Sequence, residues 1–280
     1  MILIISSSGD PVAKYFAQYL FNNRFKFLYI SQELLGTAFI LKSNNFFYKK
    51  SKFDYSEFSG VYIRLSSPSP KLKSLHLNIE SELSILINII NTKFPNIVNT
   101  TLSQATNYSK LYQLIKSNIN HIKIPRSYVI SNNNLSYLPS DFKLIYKSLS
   151  AIRSTPNILN SELKLHNIPN EPVLFQHFLN GHNIRVHVMK DVCFSSLILT
   201  EKVDYRYDQI SLKIKYELPK EIAEECINLT KQFGLKTAGI DLIKLDNNFY
   251  LLEVNPSPGY CTFEYNFEIS KKLAEILITG

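Results

Sequence analysis

Two carboxylates and an amide near the C-terminus are the residues of this chain whose spacing best suits chemistry. In Ala238-Gly-Ile-Asp-Leu-Ile-Lys-Leu-Asp-Asn-Asn-Phe-Tyr-Leu-Leu-Glu-Val-Asn-Pro-Ser-Pro-Gly259, two alternating apolar runs flank a polar turn, the pattern of a β-hairpin. A turn centred on Asn247 puts Asp241 opposite or nearly opposite Glu253. Glu253 and Asn255, two apart on one strand, share a face, while Ile240, Leu242, Leu252 and Val254 alternate to the other. Two carboxylates and an amide oxygen, with no His or Cys, suit a hard cation such as Mg²⁺, whose shell is completed by water and phosphate. A surface hairpin with its acids in solvent shows the same alternation. However, carboxylates inside a Leu-Leu-Glu-Val run are expected to be buried, and a buried charge needs a partner.

Two arginines extend the set. Arg185 lies between apolar neighbours on an expected strand, where a buried guanidinium wants an anion. Arg64 ends another strand, at the edge where open α/β sheets place ligands. A substrate carboxylate and a structural ion pair are both open to it.

The elements that must carry these groups follow from local signals. Ile2–Ser6 is an expected buried strand. Asp10-Pro11 caps a helix over Val12–Asn22, with Pro at the first helical position. Phe25–Ser31 and Gly60–Arg64 are strands, Phe46–Lys49 an edge hairpin strand and Asn78–Lys93 a helix; this alternation implies a mainly parallel sheet. Beyond residue 96 the pattern changes. Ser103–Asn118 is an expected helix, Phe142–Ser148 and Pro172–Phe178 are strands, and Leu149–Ile168 is a loop with a short helix. Asn183–Lys190 with Val192–Leu199 forms a hairpin, Pro219–Gly234 a helix and Thr262–Ile278 a final helix. The fold class is thus α/β and α+β.

Composition narrows the function classes. Hydrophobic residues are 45% of the 280 and the longest apolar runs are too short to span a bilayer. Three scattered cysteines give no disulfide framework, so a cytoplasmic setting is expected. A net charge of +8 favours acidic partners. The basic residues do not cluster with stacking aromatics, which argues against nucleic acid.

Taken in order along the chain, these segments resemble the ATP-grasp superfamily, in particular its RimK-type branch and the microviridin or graspetide peptide maturases. The carriers are Ile97-Val-Asn-Thr, Asn107-Tyr-Ser-Lys-Leu-Tyr-Gln-Leu114, Leu144-Ile-Tyr-Lys-Ser-Leu-Ser-Ala-Ile-Arg-Ser154, Leu174-Phe-Gln-His-Phe-Leu-Asn-Gly-His-Asn-Ile-Arg-Val186, Asp204-Tyr-Arg206 and the acidic hairpin. The resemblance implies an N-terminal α/β domain over residues 1–96 and two lobes, 97–175 and 176–280, enclosing ATP. It implies that Lys110 and Lys147 neutralise phosphate oxygens and that Gln176, His177 and Phe178 contact adenine. Asn183 faces the ribose, where the family more often has an acid. Arg206 contacts phosphate, as do Arg185 and Lys147. Arg153, with serine hydroxyls, stands in for a missing Gly-rich phosphate loop and is a candidate substrate contact, as Arg64 is from its place at a strand end. Asp241, Glu253 and Asn255 hold Mg²⁺, two ions in the usual arrangement.

The implied activity is transfer of the ATP γ-phosphoryl group to a carboxylate, followed by attack of a hydroxyl or amine. The implied partner is an acidic precursor peptide or a small carboxylate; a homodimer is compatible with it. Two other functions fit the same residues: a RimK-like ligase for amino acids or small molecules, and a non-catalytic ATP- or peptide-binding module.

Overall fold

A computed structural model describes the chain except for residues 35–38, 66–76, 95, 105–108, 132–134, 140, 142, 150–156, 159–171, 201–204, 206–207 and 209. The chain divides into two compact units, one of residues 1–101 with 259–280 and one of residues 102–258.

The first unit runs β1 (Ile2–Ser6), α1 (Pro11–Asn22), β2 (Phe27–Ser31), β3 (Phe39–Leu41), β4 (Asn45–Tyr48), β5 (Ser51–Asp54), β6 (Gly60–Arg64), α2 (Leu77–Lys93) and β7 (Ile97–Val98). The sheet order is β2-β1-β6-β7, all parallel. β1 is central and buried along its whole length, which is why it reads as an unbroken apolar run rather than an alternating one. The Asp10 carboxylate caps α1, accepting from the N–H groups of Val12 and Ala13 at 2.8 Å each, the role its place before Pro11 predicts. Strands β3, β4 and β5 form a separate antiparallel sheet, larger than the single edge strand expected around Phe46.

The second unit contains α3 (Thr101–Gln104), α4 (Lys110–Lys116), β8 (Ile122–Lys123), β9 (Ser127–Ile130), β10 (Leu144–Ser148), β11 (Asn157–Ile158), β12 (Val173–His177), β13 (His182–Met189), β14 (Val192–Leu199), β15 (Leu212–Lys215), α5 (Lys220–Gln232), β16 (Thr237–Leu245) and β17 (Asn248–Asn255). One antiparallel sheet has the order β11-β10-β12-β9, and a six-stranded sheet the order β15-β14-β13-β16-β17-β8. One face of the larger sheet carries Ile184, Val186, Val188, Ile240, Leu242 and Val254, which pack with Ile222, Cys226 and Leu229 of α5 and with Phe233, which follows it, in a single core. Each such side chain contributes about 1.5–3 kcal/mol on burial, so this face is fixed and the opposite face is left for polar groups.

The last helix, α6 (Glu268–Thr279), packs in the first unit. The sequence placed it in a lobe ending at residue 280. Gly60 permits the contact: a Cβ there would lie 2.9 Å from the Leu277 carbonyl carbon, so no larger residue lets α6 lie so close to β6. This helix begins later than Thr262, because Asn266 and Phe267 take left-handed backbone angles, φ 51° and 59°. Most of the expected Leu149–Ile168 loop lies outside the described residues. No described helix is long and apolar enough to cross a membrane.

Candidate active site

The polar face of the six-stranded sheet brings the acidic hairpin and Arg185 into one row. Lys215 on β15 is in register with Ser196 on β14, Ser196 with Arg185 on β13, Arg185 with Asp241 on β16, and Asp241 with Glu253 on β17. Directly paired residues of antiparallel strands project to the same side, so these side chains share a face. The hairpin turn falls at Asp246 and Asn247, between β16 and β17.

One detail departs from simple alternation. The register shifts between Asp241 and Leu242, so that Leu242 opposes Leu251. A β-bulge inserts one residue and switches which parity faces inward. Leu251 therefore enters the core in place of the expected Leu252, which is half-buried, while Val254 stays inside. The bulge lets Glu253 and Asn255 remain on the polar face.

The acids have cationic partners. Arg185 Nη1 lies 2.8 Å from Asp241 Oδ2, and Lys110 Nζ lies 3.5 Å from Glu253 Oε2. Both cations are buried, with 6% and 5% of their side chains exposed against 24% and 17% for Asp241 and Glu253. The Tyr205 hydroxyl lies 3.3 Å from Asp241 Oδ1, and Arg185 Nε donates to His187 Nε2 at 3.4 Å. Burial opposes the charge on Arg185, but Asp241, Tyr205 and Glu253 together outweigh it, so its pKa rises above the ordinary value. Asn255 Oδ1 accepts from the Ser257 N–H at 2.9 Å, so the Pro-Ser-Pro exit fixes the amide. The family-like Gly239 gains a physical reason: a Cβ there would lie 2.7 Å from Arg185 Cζ and 2.6 Å from Pro258 Cβ. The guanidinium occupies the space above it.

The smaller sheet contributes Lys147. Its strand β10 buries it, and Lys147 Nζ donates to Gln176 Oε1 on β12 at 3.0 Å. Gln176, fully buried, donates in turn to Ser127 Oγ on β9 at 3.0 Å. Gln176 thus aims the ammonium. At the hinge after β12, the N–H groups of His177 and Phe178 donate to the carbonyls of Arg126 and Lys143, at 2.9 and 2.8 Å. A cleft of about 760 Å³ opens there, lined by Lys123, Arg126, His177 and Tyr250 among others. Asn183 is half-buried on the same face as Arg185. The Lys110 N–H donates to the Leu149 carbonyl at 3.3 Å, which places the start of α4 beside the end of β10. Arg153 and Arg206 lie outside the described residues.

Two groups escaped sequence reasoning. Gln113 on α4 is buried and grips β17 at both ends of one residue: Gln113 Nε2 donates to the Val254 carbonyl at 2.6 Å, and Gln113 Oε1 accepts from the Val254 N–H at 3.0 Å. Val254 stands between Glu253 and Asn255, so this amide holds the backbone carrying both. Its only signal in sequence was its place one helical turn from Lys110. Glu225 on α5 accepts from the N–H groups of Asn120, His121 and Ile122, and so anchors the approach to β8.

In the first unit, Arg64 forms the ion pair that its sequence position left open. Arg64 Nε lies 3.0 Å from Asp10 Oδ2, with Tyr62 Oη at 3.4 Å from Nη1. Burial opposes its charge, and Tyr62 and Asp10 together raise its pKa. Nearby, Glu33 accepts from Ser7 Oγ at 2.6 Å, from the Ser8 N–H and from Ser31.

No cluster of three or more His, Cys, Asp or Glu occurs among the described residues. The donor set is instead two carboxylates and one amide, all oxygen, partly open on one side. That chemistry fits Mg²⁺, which takes few protein ligands, and not a soft or borderline metal.

No curated protein sequence matches the chain. Among solved structures, the macrocyclase MdnC bound with precursor peptide MdnA from Microcystis aeruginosa MRC is 18% identical, with 100% of both chains covered and a TM-score of 0.80. The Chryseobacterium gregarium RiPP-associated ATP-grasp ligase, in complex with ADP and a leader and core peptide, is 17% identical, covers 99% of this chain and 96% of its own, and gives a TM-score of 0.79. The D-alanine–D-alanine ligase from Bacillus anthracis, complexed with ATP, is 14% identical over 99% and 95%, with a TM-score of 0.64. These likenesses establish the fold. Residues 105–259, from the approach to α4 to the exit of β17, match the ATP-grasp domain, and the chain belongs to the ATP-grasp family.

Proposed function

We propose that this chain is an ATP-dependent, ADP-forming ligase that activates a side-chain carboxylate of a precursor peptide as an acyl phosphate and joins it to a hydroxyl or amine of that peptide, closing a macrocycle. The observation that carries the reading is the row of Arg185, Asp241 and Glu253, with Lys110 and Asn255 beside it, on the polar face of an ATP-grasp sheet. Asp241, Glu253 and Asn255 would hold Mg²⁺, a pair of ions suiting two carboxylates on facing strands; bound there, it supplies charge neutralisation at the transferring phosphoryl group. Lys110 and Lys147 bind phosphate oxygens, and Gln176 keeps the Lys147 ammonium in place while they do so. Arg185, buried and fixed by Asp241, offsets negative charge as it develops, without reorganisation at the moment of reaction. By family resemblance, Gln176, His177 and Phe178 contact adenine, Asn183 the ribose, and Arg206 and Arg153 the phosphates and substrate. Arg64, at the C-terminal end of β6, is paired with Asp10, the structural alternative that its position left open beside a substrate carboxylate.

The peptide substrate is supported by the near full-length likeness to enzymes solved with precursor peptides, and by the charge of +8, which suits an acidic partner. Incubation with Mg·ATP and an acidic, Ser/Thr/Lys-containing precursor peptide, read by mass spectrometry and nucleotide analysis, tests it. The expected result is loss of one water per bond with release of ADP. A gain in mass equal to an added amino acid would move the chain to RimK-like ligation, and AMP as product would refute acyl-phosphate chemistry.

A further inference from the structure

Helices α1 and α6 of the first unit line a cleft of about 800 Å³, none of whose residues has a role in the proposed reaction. That volume is within the roughly 300–1,000 Å³ of small-molecule sites. On α1 it is lined by Tyr15 and Tyr19, one turn apart, and on α6 by Lys271 and Glu275, also one turn apart. Phe267, which precedes α6, lines it as well. Its ring centroid lies 6.3 Å from that of Tyr15, at an interplanar angle of 25°, and 5.7 Å from that of Tyr19. Phe267 breaks two local preferences to stand there. It is a bulky residue in the left-handed region, φ 59°, directly after Asn266 at φ 51°, and it occupies the N-cap of α6 without a side-chain hydrogen bond. It remains 50% exposed, so burial does not account for the strain. Strained residues of this kind gather at ligand clamps.

The polar groups of the cleft favour an anion. Tyr19 is only 8% exposed, yet its hydroxyl has no hydrogen-bond partner among the described residues. The one fully enclosed side-chain polar atom without a partner there is Asn45 Oδ1. The Tyr19 hydroxyl therefore reaches open space, and the cleft is the space that Tyr19 lines. Glu275 is answered by Lys272 at 3.9 Å, and Glu264, just before α6, by the N–H groups of Ile269 and Ser270 at 3.1 and 2.8 Å. The Lys271 ammonium has no such partner among the described residues. An unpaired cation and a free hydroxyl beside stacked rings match a flat ring that carries a negative charge.

We infer that this cleft binds a small aromatic carboxylate. The ligand ring stacks with Tyr15, Tyr19 and Phe267, since offset ring pairs gain beyond their buried area. Its carboxylate meets the Lys271 ammonium and accepts a hydrogen bond from the Tyr19 hydroxyl. The left-handed turn at Asn266 and Phe267 holds the third ring in place before the ligand arrives, so less ordering is needed on binding. All of these residues belong to the first unit, and binding there is independent of the ligase reading.

The probe is 3-phenylpropanoate, titrated into the full chain without nucleotide and followed by saturation-transfer NMR. It is expected to bind about tenfold more tightly than 3-phenylpropanamide, which lacks the charge. It should also bind severalfold more tightly than 3-cyclohexylpropanoate, which lacks the flat ring. Lys271→Met, at an exposed position where the fold tolerates it, should erase the preference for acid over amide. Phe267→Gly should weaken binding of the acid about fivefold with an unchanged or raised thermal midpoint, because glycine takes the left-handed angle without strain. A lowered midpoint with unchanged binding would give Phe267 a packing role and overturn the proposal. Equal binding of the three compounds, or an acid preference that survives Lys271→Met, overturns the site. Tighter binding of N-acetyl-diglycyl-phenylalanine than of 3-phenylpropanoate would assign the ring and carboxylate to a peptide terminus and overturn the small-molecule ligand. A dimer that Phe267→Gly disperses and 3-phenylpropanoate leaves intact would make the cleft a contact between copies, which overturns it as well.

Discussion

Replacing Gln113 with Leu tests whether one buried amide sets the geometry of Glu253 and Asn255. The substitution roughly keeps the volume and removes two hydrogen bonds, to the Val254 carbonyl at 2.6 Å and from the Val254 N–H at 3.0 Å. Gln113 is only 1% exposed, so no water replaces them. Each buried group left unpaired costs about 1–3 kcal/mol, or about 2–6 kcal/mol for the two. That is a large part of the roughly 5–15 kcal/mol that holds a typical domain together. Urea denaturation should show the midpoint falling with little change in slope, the mark of lost stability rather than altered compactness. Because Val254 separates Glu253 from Asn255, the Mg²⁺ concentration needed for nucleotide to stabilise the variant should rise by roughly 10–100-fold, the usual effect of losing a residue that orients ligands. Gln113→Glu is the informative companion. Its carboxylate still accepts from the Val254 N–H but opposes the Val254 carbonyl, which disfavours the charged form. The carboxyl pKa is then raised on folding, so the penalty is present at neutral pH and relieved as pH falls and the protonated acid donates again. A Gln113→Leu variant within about 1 kcal/mol of the parent, with an unchanged Mg²⁺ requirement, would refute this reasoning.

Gly239→Ala should cost about 1–3 kcal/mol by overpacking and should lower ADP formation, because the new methyl group displaces Arg185 from Asp241; denaturation and turnover measured together check it. Glu253→Gln should leave circular dichroism unchanged while ADP release falls by roughly a hundredfold or more, as when one preorganised charge contact is lost; near-parental ADP release would remove Glu253 from the site. For Glu33, burial works against the carboxylate, but hydrogen bonds from Ser31, Ser7 and the Ser8 N–H outweigh it and its pKa falls below 4.5. A depressed carboxyl pKa stabilises the fold above the unfolded value and the gain is lost on acidification. The stability difference between the parent and Glu33→Gln should therefore be constant above about pH 4.5 and shrink below it, as followed by denaturation across pH 3–7 (roughly the carboxylate range).

What the sequence disclosed was whatever depends on near neighbours. Asp10 before Pro11 announced the cap of α1, and the unbroken Ile-Leu-Ile-Ile announced a strand covered on both faces. The two-residue period of the hairpin put Asp241, Glu253 and Asn255 together. Its bulge was not legible, because one inserted residue in a Tyr-Leu-Leu-Glu run leaves no trace in composition and changes only whether Leu251 or Leu252 points inward. Gly239 was visible as a letter of the motif, but its cause is a guanidinium from another strand. Gln113 looks like an ordinary polar position, and Gln176 was read as an adenine contact; tertiary pairing shows each holding a functional group. The same holds for α6, which local signals attach to the preceding hairpin and which Gly60 instead allows to pack against β6.

Arg185 shows why the remaining gap is physical. Its apolar flanks required an anion, and a triphosphate or acyl phosphate was the anion that came to hand; the structure supplies Asp241. Both assignments can hold in sequence. Burying Arg185 and Lys110 without partners would cost several kcal/mol each, so the protein alone needs Asp241 and Glu253 to keep them folded and charged. The acids are three to four times as exposed as the cations, 24% and 17% against 6% and 5%, so they are the side of each pair that solvent ions reach. In the proposed function Asp241 and Glu253 would hold the cation, while Arg185, fixed by Asp241, and Lys110 would face phosphate oxygens. The pairing of buried cations with more exposed carboxylates is what supports the proposed magnesium-nucleotide site.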